Sequence, residues 1–428
     1  GYKTIFPIPL GESASWDLKV IKKTAEIAAK EAAASGLNWT FAPMLDVSRD
    51  ARWGRIMEGA GEDTYLNTVI GVARVQGFQG TDLSKTYTIA ACAKHFAGYG
   101  FGEAGRDYNT VNVGENELHN AILPPFKAAA QAGVATFMNS FNEIDGVPAT
   151  GSHMLQRDIL KGDWNWDGFM VSDWGSIGEM IAHGYAKDKK HAAQIALNAG
   201  SDMDMESYAY EAHLESLLQE NKISIEKLDD AVRRVLRIKF RLGLFDDPYK
   251  YCDEEREKNN VYTKEHLGIA RDGAKKSIVL LKNDTKLLPL SKKIKSIAVI
   301  GPLADDKDTP LGNWRGMGEY NTAVSLLEGV KNAVGKNTKI YYEKGGTLTI
   351  PTVKPGDNQF LFPLKFNDTD VSGIPAAVEA AKKAEVVLLA IGESAYQSGE
   401  GRSQTNIGFF GVQQQLLEAV YKVNKNVV

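Results

Sequence analysis

From residue 1 to about 242 the chain alternates short apolar runs with longer stretches of helix-like patterning, the βα alternation of a parallel sheet or barrel. The apolar runs are Leu37–Asp46, Thr88–His95, Gly133–Asn142, Gly168–Asp173 and a weaker one at Ser201–Met205. Parallel strands covered on both faces read as such continuous runs. The first four end on Asp, His, Asn and Asp, so chemistry is expected to collect at the C-terminal ends of the strands, where barrels place it. Helices are predicted over 115–131, 189–198 and 225–242; in the last of these Leu228, Val232, Val235 and Leu236 share one stripe and Gly243 supplies the stop. Residues 243–262 are polar, contain Pro248 and lack apolar periodicity, which predicts a surface linker and a domain boundary there.

A second α/β pattern follows over 263–428: a helix 263–281, a strand 296–301, a helix 323–334, a strand 339–343, a helix 374–384, a strand 385–392 and a helix 412–423. Residues 345–371, rich in Thr, Pro, Gly and Asp, read as a long surface insertion. The chain shows neither an internal repeat nor a low-complexity tract.

Composition narrows the class. With 43% hydrophobic and 24% charged residues the 428-residue chain is an ordinary globular sequence, long enough for two or three domains at about 150 residues each. Lys plus Arg number 50 against 54 Asp plus Glu, a net charge of −4, so nucleic acid is not an expected partner. Cys92 and Cys252 are too few for a disulfide framework or a zinc site, and no H-E-x-x-H or P-loop is present. No run reaches the roughly 18 apolar residues of a membrane helix, and Glu12, Asp17 and Glu26 interrupt the first 30 positions where a leader would be basic and then apolar. The start on Gly1 and the apolar close Asn426–Val428, which reads as the beginning of a strand, suggest that both ends are cut from a longer precursor.

Four segments could carry chemistry. Gly100, Gly102 and Gly105 form a formal G-x-G-x-x-G after a strand, but Arg106-Asp-Tyr-Asn-Thr-Val follows without the amphipathic helix a dinucleotide site needs. Lys94 and His95 end a very apolar strand; their two readings are a rim salt bridge and a pair of hydrogen-bond donors for a polyhydroxylated ligand. Asp173 follows the strand GFMVS and precedes Trp174. It could be the N-cap of a helix over 177–181, or a nucleophile presented to a sugar whose C–H face stacks on the indole. The loop from Asp46 to Asp63 is dense in both charge signs, either a self-satisfying ion-pair loop or one that aims an Arg at sugar hydroxyls.

Taken together, FPIPLGESASWD, RDARWGRIMEGAGEDTYL, AKHFAGYG, MNSFNEIDGVPATGS and GFMVSDWGSI, with KSIVLLKNDTKLLPL and AVIGPLAD further on, resemble the family three glycoside hydrolases, the exo-acting β-glucosidases and β-xylosidases. The resemblance implies a (β/α)8-like TIM barrel followed by an α/β sandwich domain, with the active site between them and both domains incomplete at the chain ends. On this reading residues 1–242 are the catalytic barrel, 243–262 the linker and 263–428 the sandwich.

Residue by residue, the resemblance makes Asp173 the nucleophile and Arg55, Lys94 and His95 holders of the terminal sugar, with Arg106 a further member. Phe141 stands where many relatives carry Tyr, so a hydroxyl contact is lost there, and Trp174 is the stacking ring. The segment from Gly392 to Ile407 resembles the acid/base loop, which assigns Glu400; Glu393 is the reserve because Gln404 stands near where relatives carry Arg, and Glu179 is a lesser alternative. The implied reaction is double displacement on a terminal β-glucosyl or β-xylosyl unit, without metal or cofactor. Asp173 would be kept ionised by Lys94, His95 and Arg55, and Glu400 kept protonated by burial.

The loop after AKHFAGYG lacks the Asp-Ser-His run of the N-acetylglucosaminidase branch, which favours glucosides or xylosides. The resemblance also implies a periplasmic or secreted location and, upstream of GYKTIFP, a further strand with a sugar-gripping Asp; without it, weak binding or inactivity is the expectation. Oligosaccharides or β-glycosides are the expected substrates, and a homo-oligomer is left open. A non-catalytic sugar binder and a nucleotide-dependent oxidoreductase are the competing classes; the carboxylate pair argues against the first, and a thermal shift with NAD would be the sign of the second.

Overall fold

The computed structural model describes residues 3–350, 352 and 363–428. The chain divides into two compact units, one of Phe6–Ile278 and the other of the first residues together with Val279–Val428. Each is α/β.

In the larger unit, helix α1 (Leu18–Ala34) starts at Asp17, whose carboxylate accepts from the backbone N–H groups of Lys19 and Val20 at 3.1 Å. Helix α2 (Thr64–Gln79) is capped in the same way by Asp63. The two pack so closely at Gly77 that a Cβ there would lie 2.6 Å from the Ala25 methyl and from the Lys22 carbonyl, so only glycine fits.

Strands β1 (Cys92–Phe96), β2 (Thr136–Asn139) and β3 (Phe169–Val171) form a parallel sheet in that order. Parallel bridges from Trp39 to Ala90 and Met44 to Lys94 add the 39–44 segment beside β1, and one from Val171 to Met203 adds the weakest run beside β3. The five predicted apolar runs thus become five parallel passes in chain order. They are shorter than their hydrophobic pattern, and the first is reduced to isolated bridges because Pro43 has no N–H to donate to a ladder. Helix α3 (Pro124–Gln131) is the second half of the helix predicted over 115–131. The first half is one α-helical turn and a wider π turn, and Pro124 starts the chain afresh.

Helices α4 (Lys189–Ala199), α5 (Ala209–Gln219) and α6 (Ile225–Arg241) complete the βα alternation. The segment expected to be a linker contains a short helix, Glu254–Asn260, and helix α7 (Lys264–Lys276) belongs to the larger unit. The division therefore falls after Ile278, not within 243–262. Buried His266 of α7 meets Glu31 of α1 at 2.7 Å, and Lys276 meets Asp17 at 2.9 Å. These contacts tie the helix to the unit before it. The helix ends at Lys276 rather than 281, because Ile278–Leu281 are four successive apolar residues and break its one-sided stripe.

In the smaller unit, β4 (Ser296–Ile300) lies between β5 (Lys339–Glu343) and β6 (Val386–Leu389), all parallel. The apolar close at 426–428 lies parallel to β6 through an isolated bridge, with Val387 N–H donating to the Asn426 carbonyl at 2.9 Å. Helix α8 (Leu326–Ala333) covers one face through Leu327 and Val330 on Ile297 and Val299. Helices α9 (Ile374–Lys382) and α10 (Gln413–Val423) cover the other through Ala377, Ala381, Leu416 and Val420 on Ala298, Ile300 and Val387. Both faces are buried, which is why β4 and β6 read as continuous apolar runs. Of the expected insertion, Thr349–Ile350 pairs antiparallel with Lys365–Phe366; 351 and 353–362 lie outside the described residues.

Candidate functional site

The ends of the parallel passes in the larger unit bring together Asp46, His95 and Asp173, with Arg55 and Glu58 from the loop after the first pass. His95, fully buried at the end of β1, has Nδ1 2.8 Å from Asp46 Oδ2, and the same oxygen accepts from the His95 backbone N–H at 3.0 Å. On the opposite side of the ring, Arg55 Nη2 is 3.0 Å from His95 Nε2, and Asp173 Oδ2 is 3.5 Å from it. Glu58 holds Arg55 bidentately, with Nε to Oε1 at 2.8 Å and Nη2 to Oε2 at 3.1 Å, and lies 3.8 Å from Lys94 Nζ. The Lys94–His95 and Phe96–Ala97 peptides are cis.

Asp173 is buried and does not cap a helix. The turn at Ser176–Glu179 starts at Gly175 without a side-chain cap, and Asp173 Oδ1 instead accepts from Trp174 N–H at 2.7 Å. The capping reading is thereby set aside. Trp174 is 64% exposed, and Glu179 is also exposed, on the turn.

The arginine loop forms the ion pairs of its first reading. Arg52 pairs with Asp50 within the loop, while Arg55 pairs with Glu58 and still reaches His95. Phe141 is buried in an aromatic nest with Met44, Trp53 and Tyr99, and its ring meets Tyr108 edge-on at 5.1 Å. Arg106 is exposed and makes no ion pair among the described residues; its neighbour Asp107 joins the cluster instead, accepting from Trp53 Nε1 at 2.8 Å. The G-x-G-x-x-G segment forms two short turns, 99–101 and 103–105, and opens no helix. A Cβ on Gly100 would lie 2.2 Å from the Val47 carbonyl, so that glycine serves to seat this loop on the arginine loop.

The electrostatics correct one expectation. Burial, reinforced by the Arg55 and Lys94 charges, holds the His95 imidazole well below its ordinary pKa. At neutral pH His95 is uncharged, and the cations of the cluster are Arg55 and Lys94. Burial pushes Asp46 up to about 7, with the His95 backbone N–H and Arg55 working in the opposite direction. Tyr99, whose ring lies edge-on to His95 and under Arg55, is pushed well above its ordinary value by burial and by Asp107.

In the smaller unit, the loop after β6 carries Glu393 and Glu400. Ser394 and Gln397 form a capping box that starts the turn 395–397, and Asn313 Nδ2 donates to the Ser398 carbonyl at 2.5 Å. Gly399 needs its positive φ of 105° and its lack of a Cβ, which would lie 2.2 Å from Asn313. Glu400, half-buried, follows directly. Gln404 Nε2 donates to the Gln397 carbonyl at 2.8 Å and so braces the loop. Glu393 is exposed along part of its side chain, yet burial of its carboxyl raises its pKa, the direction a general acid needs. Among the described residues no group of three or more His, Cys, Asp or Glu side chains could hold a metal ion, and no helix is long and apolar enough to cross a membrane.

Asp46, Glu58 and Tyr99 belong to the cluster without having been singled out as site residues in the sequence. Asp46 is the polar terminus of the first apolar run, the signal that also marks His95 and Asp173, and Glu58 follows Arg55 at i+3.

Comparison with known proteins places this geometry in context. Residues 1–238 match the glycosyl hydrolase family 3 N terminal domain, and residues 278–428 match the family's C-terminal domain. The chain is 40% identical to a periplasmic beta-glucosidase of Salmonella typhimurium, covering 100% of this chain and 56% of that protein. It is 36% identical to a beta-xylosidase of Formosa agariphila, over 100% of this chain and 59% of that one. Among solved structures, beta-glucosidase from Listeria innocua in complex with isofagomine superimposes with a TM-score of 0.91 at 39% identity, over 100% of this chain and 57% of that one. The chain thus spans a little over half the length of these relatives.

Proposed function

The chain belongs to glycosyl hydrolase family 3, and on that premise we propose that it serves a retaining exo-β-glycosidase that removes a terminal β-D-glucosyl unit from oligosaccharides or glycosides. The observation that carries this reading is Asp173: a buried carboxylate at the end of a parallel strand, fixed by the Trp174 N–H, with His95 and the paired Arg55 beside it and an exposed indole next in sequence. Attack by Asp173 on the anomeric carbon forms a glycosyl ester, which water then cleaves. Glu400 gives its proton to the leaving oxygen in the first step and takes one from water in the second; Glu393 is the reserve for this role. Arg55 and Lys94 hold the hydroxyls of the sugar, with His95 behind them, since it is fully buried and both ring nitrogens face Asp46 and Arg55; Trp174 stacks on the sugar's C–H face, and Phe141 offers shape without a hydroxyl. Arg106, exposed and without an ion pair among the described residues, has the least support.

The five parallel passes fit an arc of a (β/α)8 barrel, and the three-layered smaller unit fits the family's sandwich domain. A β-xylosyl specificity is the second reading, favoured by the 36% identity to a beta-xylosidase. Of the two expected locations, periplasmic or secreted, the Salmonella relative's name supports the periplasm.

The test is covalent labelling of the full-length protein with 2-deoxy-2-fluoro β-glucosyl and β-xylosyl inactivators, followed by peptide mass spectrometry. A label on Asp173 is expected, the sugar that delivers it naming the specificity. Inactivation with the label elsewhere would reject Asp173 as nucleophile. No label from either sugar, on folded protein, would favour a non-catalytic binder.

A further inference from the structure

The buried chain Asp46–His95–Arg55 has a consequence for hydrogens. A guanidinium nitrogen only donates, so the 3.0 Å contact of Arg55 Nη2 with His95 Nε2 requires a lone pair on Nε2. A neutral imidazole then carries its hydrogen on Nδ1, which faces Asp46 Oδ2 at 2.8 Å and donates to it. Asp46 Oδ2 also accepts from the His95 backbone N–H, so one oxygen fixes both the residue and its ring. The other oxygen, Oδ1, is buried with no hydrogen-bond partner among the described residues, so the side chain's whole polar engagement is with His95. The edge of Tyr99, 5.3 Å away by centroid and nearly perpendicular, closes off rotation of the ring.

We propose that Asp46 is a positioning residue of this site. With Arg55 it holds His95 as the neutral Nδ1–H tautomer, so that the Nε2 lone pair, 3.5 Å from Asp173, supports the guanidinium and gives the nucleophile no proton. What Asp46 supplies is an acceptor at the Oδ2 position rather than a charge, because either protonation state can keep that oxygen as an acceptor toward the two His95 N–H groups. The groups facing the pair are Arg55, Glu58 and Lys94 on one side and Asp173 on the other, and the bidentate Glu58 contact keeps the Arg55 donor aimed at Nε2. The tautomer stands apart from the glycosidase reading; its kinetic effect rests on that reading.

The experiment is a long-range proton–nitrogen spectrum of the full chain carrying 15N-histidine, with His95→Gln assigning the His95 signals. The expected result is a pyrrole-type Nδ1 and a pyridine-type Nε2 that do not titrate between about pH 5 and 8, the range in which an ordinary imidazole changes charge. A pyrrole-type Nε2, or an imidazolium within that range, would overturn the assignment, and this arm needs neither turnover nor a folded Asp46 variant. In Asp46→Ala the His95 signals are expected to shift or broaden into tautomer exchange. In Asp46→Asn, which keeps an acceptor oxygen, they are expected to stay. Asn behaving like Ala, or Ala like the parent, would reject the positioning role. Where the parent turns over glycoside, Asp46→Ala is expected to lower kcat/KM up to about tenfold, the worth of an ordinary hydrogen bond, with Asp46→Asn recovering most of it. The tautomer arm decides the proposal whether or not the parent is active.

Discussion

The two candidate carboxylate sites differ in how they are held. Asp173 stands at a strand end and shares a buried cluster with His95, Arg55, Glu58 and Asp46, each fixed by contacts of 2.7–3.5 Å. Glu393 and Glu400 ride on a loop that is braced mainly by Gln404, Asn313 and a capping box, and Glu393 is more than a third exposed. The contrast matches the demands of double displacement. A nucleophile must stay aimed at one carbon through both steps, whereas an acid/base trades protons with groups that enter and leave.

The sharpest way to break this comparison is to remove each carboxylate in turn. Asp173→Asn is expected to lower kcat by about 10³-fold or more with every substrate, since neither step survives without the nucleophile. Steady-state kinetics on aryl and alkyl glycosides would show it, and a loss below tenfold would reject the role. Glu400→Gln is expected to cost about 10²- to 10⁴-fold on poor leaving groups and far less on an activated phenol that leaves unprotonated. The same discrimination in Glu393→Gln, with Glu400→Gln unaffected, would move the acid/base assignment to the reserve.

Stability probes the buried cluster. Glu58→Ala strips the buried Arg55 guanidinium of its bidentate carboxylate, and a loss of about 3 kcal/mol in urea unfolding is expected. A loss under about 1 kcal/mol would mean that the cluster is held by packing instead.

Asp46 gives a pH signature. Its pKa is about 7 in the folded protein against an ordinary 3.8. Between those values the folded state keeps a proton that the unfolded chain has released, so this group makes stability fall as pH rises from about 4 to about 7, and above that the penalty is complete. Unfolding free energies of Asp46→Asn and the parent should diverge across that window by up to about 1.4 kcal/mol per pH unit, the variant gaining with pH. Parallel curves would show that Asp46 titrates normally. Glu393 shifts in the same direction, but its exposure makes its share small. The smallest expected effect is that of Trp174→Ala, a few-fold rise in KM with kcat little changed, as loss of one exposed aromatic contact of about 1 kcal/mol implies. A kcat loss as large as that of Asp173→Asn would place the indole in the chemistry itself.

Much of this was legible in the order of residues. A βα alternation needs only a count of apolar runs, and those runs became the parallel passes and the three-layered sheet because strands buried on both faces must be apolar throughout. The polar residues that end them were legible for the same reason: His95 and Asp173 stand out against an apolar background, and Asp46 ends its run in the same way. Boundaries were less so. The helix over 115–131 broke where Pro124 could not donate, a local rule that was present in the sequence, but α7 joined the larger unit through His266 and Glu31, which lie 235 positions apart. No window of sequence contains that pair.

What the sequence determined by itself was therefore the class of each segment and the chemical kinds of group at the strand ends, since both follow from local periodicity and composition. What only the tertiary structure decided was which of those groups meet and in what ionisation state. Burial and two neighbouring cations leave His95 neutral where its residue type alone suggested a positive charge. Asp173 is tied to the Trp174 N–H rather than to a helix N-terminus. The energy of a charge depends on the dielectric and the partners around it, and both are set by residues far away in the chain.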